Sequence, residues 1–275
     1  MDYKTVMVCL ALDRANDACL AVAGDIAQRF GARVVGIAAS DLRPSLYFAE
    51  GQYAEKILGQ EEQSIRKRLS ELESEFRGAI EPRAKTAEWR SALTLSSTYV
   101  AQQARAADLL VVGARSEAIV DPCCSPDPND LLMQAGRPIV IVPPAVTWLD
   151  LRSVLVAWKD VRETRRAVLD ALPILRAAKE ITIAEIPEEG IDRGHALSHV
   201  EDVAAWLSSH GIVASAVVPE AKTDIIGQLD EIAGNVGTGI VIAGAYGHSR
   251  LREWVMGGVT RHLATESARC SFLSR

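Results

Sequence analysis

Ile240-Val-Ile-Ala-Gly244-Ala-Tyr-Gly247-His-Ser-Arg-Leu-Arg-Glu-Trp-Val-Met-Gly257-Gly258-Val-Thr260-Arg-His-Leu263 is the stretch that decides the fold. Four small or β-branched apolar residues lead into a bend carrying Gly244 and Gly247. A glycine pair, Gly257 and Gly258, then opens a helical pattern, so the stretch reads as strand, loop, helix. Glycine at 244 and 247 removes the Cβ atoms that would hold a ligand off the backbone. The pair at 257 and 258 leaves the first amides of the next helix bare. A helix start with bare amides and a favourable dipole is an anion site.

Two phosphate motifs fail on this stretch. A P-loop requires Lys and Ser/Thr after its last glycine, and here Val259 and Thr260 follow Gly258. A dinucleotide fingerprint requires a Gly-x before the first glycine and a place in the first βα unit, and both are missing.

The stretch belongs to the second copy of an internal repeat. Met7–Asp13 lies on Val154–Asp160, Ala107–Ala114 on Thr238–Ala245, and Gly136–Val142 on Ala268–Ser274, in the same order. Pro143-Pro144 marks the join. The expected domains are therefore residues 1–145 and 151–275. Each alternates apolar strands with amphipathic segments, which gives an α/β chain of two fused doubly wound parallel sheets of Rossmann-like form.

In the first copy the strands are expected at Val6–Leu12, Arg33–Ala38, Leu109–Val112 and Pro138–Val142. Helices are expected over Asn16–Phe30 and Thr94–Ala106, with a long charged helix between them that presents Ile65, Leu69, Leu72 and Phe76 on one face. In the second copy, strands at Val154–Trp158, Ile181–Ile186, Ile212–Val218, Ile240–Ala243 and Phe272–Leu273 alternate with helices over Glu163–Ala178, His195–His210 and Asp224–Val236. If the strands ending at Trp158 and Ala243 are neighbours where the winding reverses, Asp160 and the glycine loop face one crevice. Asp160 there would accept from an amine or ribose hydroxyl, or cap the following helix, or both.

The spacing Gly-x2-Gly-x9-Gly-small resembles the nucleotide loop of ATP-binding universal stress proteins, and the repeat resembles their tandem form. The resemblance implies two adenine nucleotide alpha hydrolase-like domains and an ATP site in the second. Gly244, Gly247, Gly257, Gly258, Val259 and Thr260 would contact triphosphate and ribose, with Ala243 approaching them and His248 or an arginine of the loop (Arg250, Arg252, Arg261) offsetting phosphate charge. Asp160 and Ile186 would border the adenine, beside Trp158. The sequence departs at Gly258, where the family more often has Ser. The implied ligand is ATP, with Mg²⁺ as its counterion, and the implied role is a stress-response or signalling module. A nucleotide-free scaffold or small-molecule binder is the alternative.

The first copy lacks this loop. Gly113 keeps only the first glycine, and prolines 122, 126 and 128 with Asp121, Asp127 and Asp130 would deny a phosphate its amides and repel it. It is expected to bind no ATP and to act as a fused partner in an internal domain pair, with a homodimer of chains still open to it.

A net charge of −6 gives no general attraction to nucleic acid or anionic membrane. No apolar run reaches membrane-span length, and Val6–Leu12 carries no cleavage site, so a cytoplasmic protein is expected. Five cysteines (Cys9, Cys19, Cys123, Cys124, Cys270) lack metal-ligand spacing and suit reduced thiols. His195 and His199, four apart, have no third ligand at a telling distance. No triad or paired-carboxylate site stands out, so efficient catalysis is not expected. The resemblance allows slow ATP hydrolysis or self-phosphorylation at Ser249 or Thr260. An unidentified protein partner completes the picture.

Overall fold

The computed structural model describes residues 2–42, 52–115, 121, 123–187, 192–220, 224–246 and 258–275. The chain divides into two compact units, Tyr3–Arg137 and Pro138–Arg275, the latter including the first two residues.

In the N-terminal unit, β1 (Thr5–Cys9), β2 (Arg33–Ser40), β3 (Ala87–Leu93) and β4 (Leu109–Gly113) form a parallel sheet in the order β3-β2-β1-β4. Helix α1 (Asp17–Phe30) follows β1 and ends at Gly31, whose φ of 62° is the left-handed turn a helix C-terminus favours. The long α2 (Gln52–Ile80) buries the four apolar residues picked out by their spacing, Ile65, Leu69, Leu72 and Phe76. Its outer face is laced with ion pairs such as Arg77 with Glu73 and Glu81. Helix α3 (Ser96–Gln103) runs into a 3-10 turn, Ala104–Ala106. Helix α4 (Pro128–Gln134) is capped by the Asp127 carboxylate, which accepts from the Asn129 amide, and starts on proline where no amide is needed.

In the C-terminal unit the order is β5-β10-β9-β6-β7-β8, with β5 Ile139–Val142, β6 Ser153–Trp158, β7 Glu180–Glu185, β8 Ser215–Val217, β9 Ile240–Gly244 and β10 Cys270–Ser274. All pairings within this unit are parallel except β5 with β10, which run antiparallel with Phe272 opposite Val140. The sequence places Pro138–Val142 at the close of the first copy, yet β5 is hydrogen-bonded to the last strand of the second, and the division falls between Arg137 and Pro138.

The helix expected over Glu163–Ala178 is two: α5 (Arg162–Asp170) and α6 (Leu172–Ala177), with Pro173 in the first turn of α6, where it removes an amide the preceding helix would have used. Helices α7 (Arg193–Ser209), α8 (Ile225–Asn235) and α9 (Gly258–Thr265) complete the unit. The strands β1, β4, β6, β9 and β10 are buried almost end to end, as a sheet covered on both faces requires. The fold is the mostly parallel α/β arrangement expected.

Candidate functional site

Strands β6 and β9 are neighbours, with Ala157 opposite Ala243. Chain order moves outward from β6 to β7 and β8, then returns to β9 and β10 on the other side, so the winding reverses between β6 and β9. Ligands of such sheets lie beyond the C-terminal strand ends at that reversal. Trp158 ends β6 and Lys159 and Asp160 follow it, Ala243 and Gly244 end β9, and Glu185 ends β7 with Ile186 after it. The three strand ends lie side by side in the sheet.

Gly244 has a packing reason of its own to be glycine. A Cβ built on it would lie 2.6 Å from the Glu163 carbonyl carbon and 2.8 Å from Thr164 Oγ1. Its bare Cα admits the first turn of α5. Tyr246, two residues on, has φ 63°, a left-handed conformation a bulky residue rarely adopts, and Arg275 lies 5.8 Å from its ring centre. Gly247, His248, Ser249, Arg250, Arg252 and Gly257 lie outside the described residues.

Gly258 opens α9 exposed, and a Cβ there would meet Ile226 Cδ1 at an ordinary 3.6 Å. Val259 is half-buried, Arg261 is exposed, and Thr260 is 7% exposed. Thr260 thus packs most of its side chain into the unit. His262, one turn further, is buried between the carboxylates of Asp230 (Nε2 to Oδ2, 2.9 Å) and Glu266 (Nδ1 to Oε2, 3.4 Å), which fastens α9 to α8.

Asp160 is exposed at the rim and paired with Arg165. The cap position of α5 falls on Val161, with no side-chain capping bond, so Asp160 is no cap. Glu185 is the residue that pattern reading passed over. It is 9% exposed, with His199 Nδ1 3.2 and 3.3 Å from its two oxygens. Burial holds its carboxyl above the usual carboxylate range, and the charge of Asp160 adds to that, while His199 and Lys159 act the other way. The available clue was an acidic residue ending an apolar strand, as Asp160 ends its own. His199 thus serves Glu185; its ring centre stands 6.0 Å from that of His195. Beside Glu185, the Trp158 indole Nε1–H is buried without a hydrogen-bond partner among the described residues.

In the N-terminal unit the loops at the strand ends are tied to one another, and a cavity of about 840 Å³ lies beside them, lined by Leu12, Asp13, Arg14, Asn16, Arg68 and Arg83 among others. Arg14 donates to the Ala114 carbonyl oxygen (2.8 Å) at the end of β4, the Leu12 amide donates to Cys124 O (2.9 Å), and the Asp41 amide donates to Cys123 O (3.1 Å). Ser125 Oγ donates to the Asp13 carboxylate. All five cysteines are free thiols. Burial pushes the Cys19 thiol up to about 12 and raises Cys9 and Cys124 as well, which keeps them protonated and unreactive. Among the described residues, no three His, Cys, Asp or Glu side chains gather into a metal site, and no helix is long and apolar enough to cross a membrane.

No family model matches the sequence, and no curated protein sequence matches it significantly. Solved structures do match along the whole chain. A universal stress protein from Archaeoglobus fulgidus aligns at a TM-score of 0.74 and 14% identity, covering 98% of each chain. A functionally unknown protein from Pseudomonas aeruginosa PAO1 aligns at 0.60, covering 99% of this chain and 92% of that one, and a putative universal stress protein from Pseudomonas aeruginosa UCBPP-PA14 at 0.59, covering 99% and 93%; both are 14% identical. Over essentially its full length, the chain has the fold of the universal stress proteins.

Proposed function

We propose that the chain is a nucleotide-binding module of the universal stress protein type, holding ATP with Mg²⁺ in the crevice of its C-terminal unit. One observation carries the reading: β9 ends beside β6 at the point where the winding reverses, and the helix that follows it in the chain, α9, carries an exposed glycine, Gly258, in its first turn. Exposed amides at a helix start attract anionic oxygens. The proposed phosphate contacts run from Gly244 and Gly247 through Gly257, Gly258, Val259 and the backbone of Thr260, with His248 or Arg261 offsetting charge. The proposed base site lies by Trp158, Asp160 and Ile186. The N-terminal unit, whose strand-end loops are tied together through Arg14, Leu12 and Asp41, is proposed to take no nucleotide. Occupancy acts on an unidentified protein partner by favouring one of two shapes with unequal nucleotide affinity. The setting is cytoplasmic, with a homodimer of chains as the proposed assembly.

A nucleotide-free scaffold is the competing reading, and the packing of α5 on Gly244 favours it, because that glycine has a structural reason to exist without a ligand. Calorimetric titration of ATP and Mg²⁺ into the wild type and Gly258→Asp separates the two. The site has room for the new side chain, and a carboxylate is welcome at a helix start, so folding should be unaffected. A carboxylate placed beside the triphosphate should weaken binding about tenfold or more. Equal affinity of the two proteins, or no binding by the wild type at millimolar ATP, overturns the nucleotide reading.

A further inference from the structure

Helices α1 and α2 of the N-terminal unit do not close on one another completely. The cavity between them, about 840 Å³, is of the size that small-molecule sites have. Leu20 and Ala21 of α1 and Ala79 of α2 give it an apolar wall. Arg68 of α2 and Arg83, just beyond that helix, join the two sides. Arg68 Nε donates to Leu12 O (3.3 Å) and its Nη1 pairs with Glu75 (2.8 Å), while Arg83 donates to Ala21 O (3.2 Å) and pairs with Asp25. Both of these guanidiniums are thereby neutralised. Three other charges lining the cavity are not. Arg14 donates to the carbonyl oxygen of Ala114 (2.8 Å) and reaches that of Gly113 (3.5 Å), and among the described residues it has no carboxylate partner. Asp13 accepts from Ser125 and Asp17 is the first residue of α1, and among the described residues neither pairs with a cation.

Opposite charges that line one cavity without pairing are matched by a ligand that carries both signs. A guanidinium has more N–H donors than the two Arg14 uses on these carbonyls, so it can hold a carboxylate and keep them. The start of α1 adds to its pull. Asn16 commits its side chain to the amide and carbonyl of Ala11, 2.9 Å to each, and caps nothing, so no side chain covers the first-turn amides. A simple anion would satisfy Arg14 and those amides but lie near Asp13 and Asp17, and a simple cation would meet the reverse. We infer that the cavity is a binding site for a free α-amino acid with an apolar side chain. The carboxylate lies on Arg14 and the α1 amides, the ammonium on Asp13 and Asp17, and the side chain along Leu20, Ala21 and Ala79. All of these residues belong to the N-terminal unit, so the site stands whether or not the C-terminal unit takes a nucleotide.

The test is calorimetric titration of the full chain with L-leucine and L-phenylalanine, and with two analogues of leucine: isocaproate, which lacks the ammonium, and isoamylamine, which lacks the carboxylate. The wild type should bind at least one of the amino acids at submillimolar concentration. Each analogue should bind about tenfold or more weakly than L-leucine, because each forfeits one charge-assisted contact. Arg14→Gln should weaken amino-acid binding by about tenfold or more. Since Arg14 also holds the end of β4, Asp17→Asn is the second variant: that side chain is exposed, and asparagine keeps its shape. It should weaken L-leucine while leaving isocaproate, which has no ammonium to lose, bound no more weakly than before. Absence of binding by both amino acids at millimolar concentration, isocaproate or isoamylamine binding as tightly as L-leucine, or amino-acid binding that both variants leave unchanged overturns the site.

Discussion

Gly244 and Gly258 are the same residue in the same motif, and packing gives them opposite constraints. At Gly244 a methyl group would strike backbone of α5, which cannot move aside as a flexible side chain can. Gly244→Ala is expected to cost about 3 kcal/mol, read as a lower urea midpoint. Gly258→Ala meets only Ile226 Cδ1 at contact distance and should leave the midpoint within about 0.5 kcal/mol of wild type. Glycine spacing made both legible as residues without a Cβ, but what occupies the freed space is tertiary information. Glu185 was harder still, since its His199 partner comes from α7, the helix that packs back on its strand, a contact that spacing alone does not announce. Its raised pKa carries a sign. The folded state holds the proton more tightly than the unfolded chain, so this group favours folding below its ordinary value of 4.5 and loses that contribution as pH rises through the folded value. Stability of the wild type relative to Glu185→Gln should therefore fall as pH is raised from 4.5 to neutral, as read from urea midpoints across that range. A difference that rises with pH would mean that the His199 contact outweighs burial.

At the level of elements, periodicity found what periodicity can find. The face of α2 and the buried strands follow directly from spacing. Strand β3 did not, because Ala87–Leu93 carries Glu88 and Arg90, pairs only with β2 and is nowhere fully buried, so it never acquires an apolar run. Helix α4 lies in the Pro/Asp stretch whose residues the sequence marks as unfavourable to phosphate. Asp127 and Pro128 are instead its cap and first residue, and the same residue types read oppositely once a helix begins there. Caps also support the proposed site. Asp224 caps α8 by accepting from the Gly227 amide at 2.8 Å, and α8 holds α9 through Asp230 and His262. Asp224→Ala should cost about 1 kcal/mol. Hydrogen exchange should then quicken along the first turn of α8. Uniform change over the whole chain would argue against a local cap.

For the whole chain, duplication was legible as three matched landmarks, and each landmark pair occupies equivalent strands: β1 and β6, β4 and β9, β5 and β10. What repetition could not reveal is how differently the two copies end their strands. In the C-terminal unit Gly258 and Asp160 stand exposed. In the N-terminal unit the corresponding ground is held by hydrogen bonds from Arg14, Leu12 and Asp41 to carbonyls at Ala114, Cys124 and Cys123. Each of these contacts is worth about 1 kcal/mol net, and a nucleotide entering there would have to break several together. The full chain should therefore bind one nucleotide, not two. Equilibrium dialysis of the intact protein against labelled ATP, taken to saturation, should level off at one per chain, and Gly258→Asp should move half-saturation to about tenfold or more higher ATP with no second site appearing. A plateau at two, or half-saturation that Gly258→Asp leaves unmoved, would place nucleotide in the N-terminal unit and require the Cys123–Ser125 segment to be a displaceable cover.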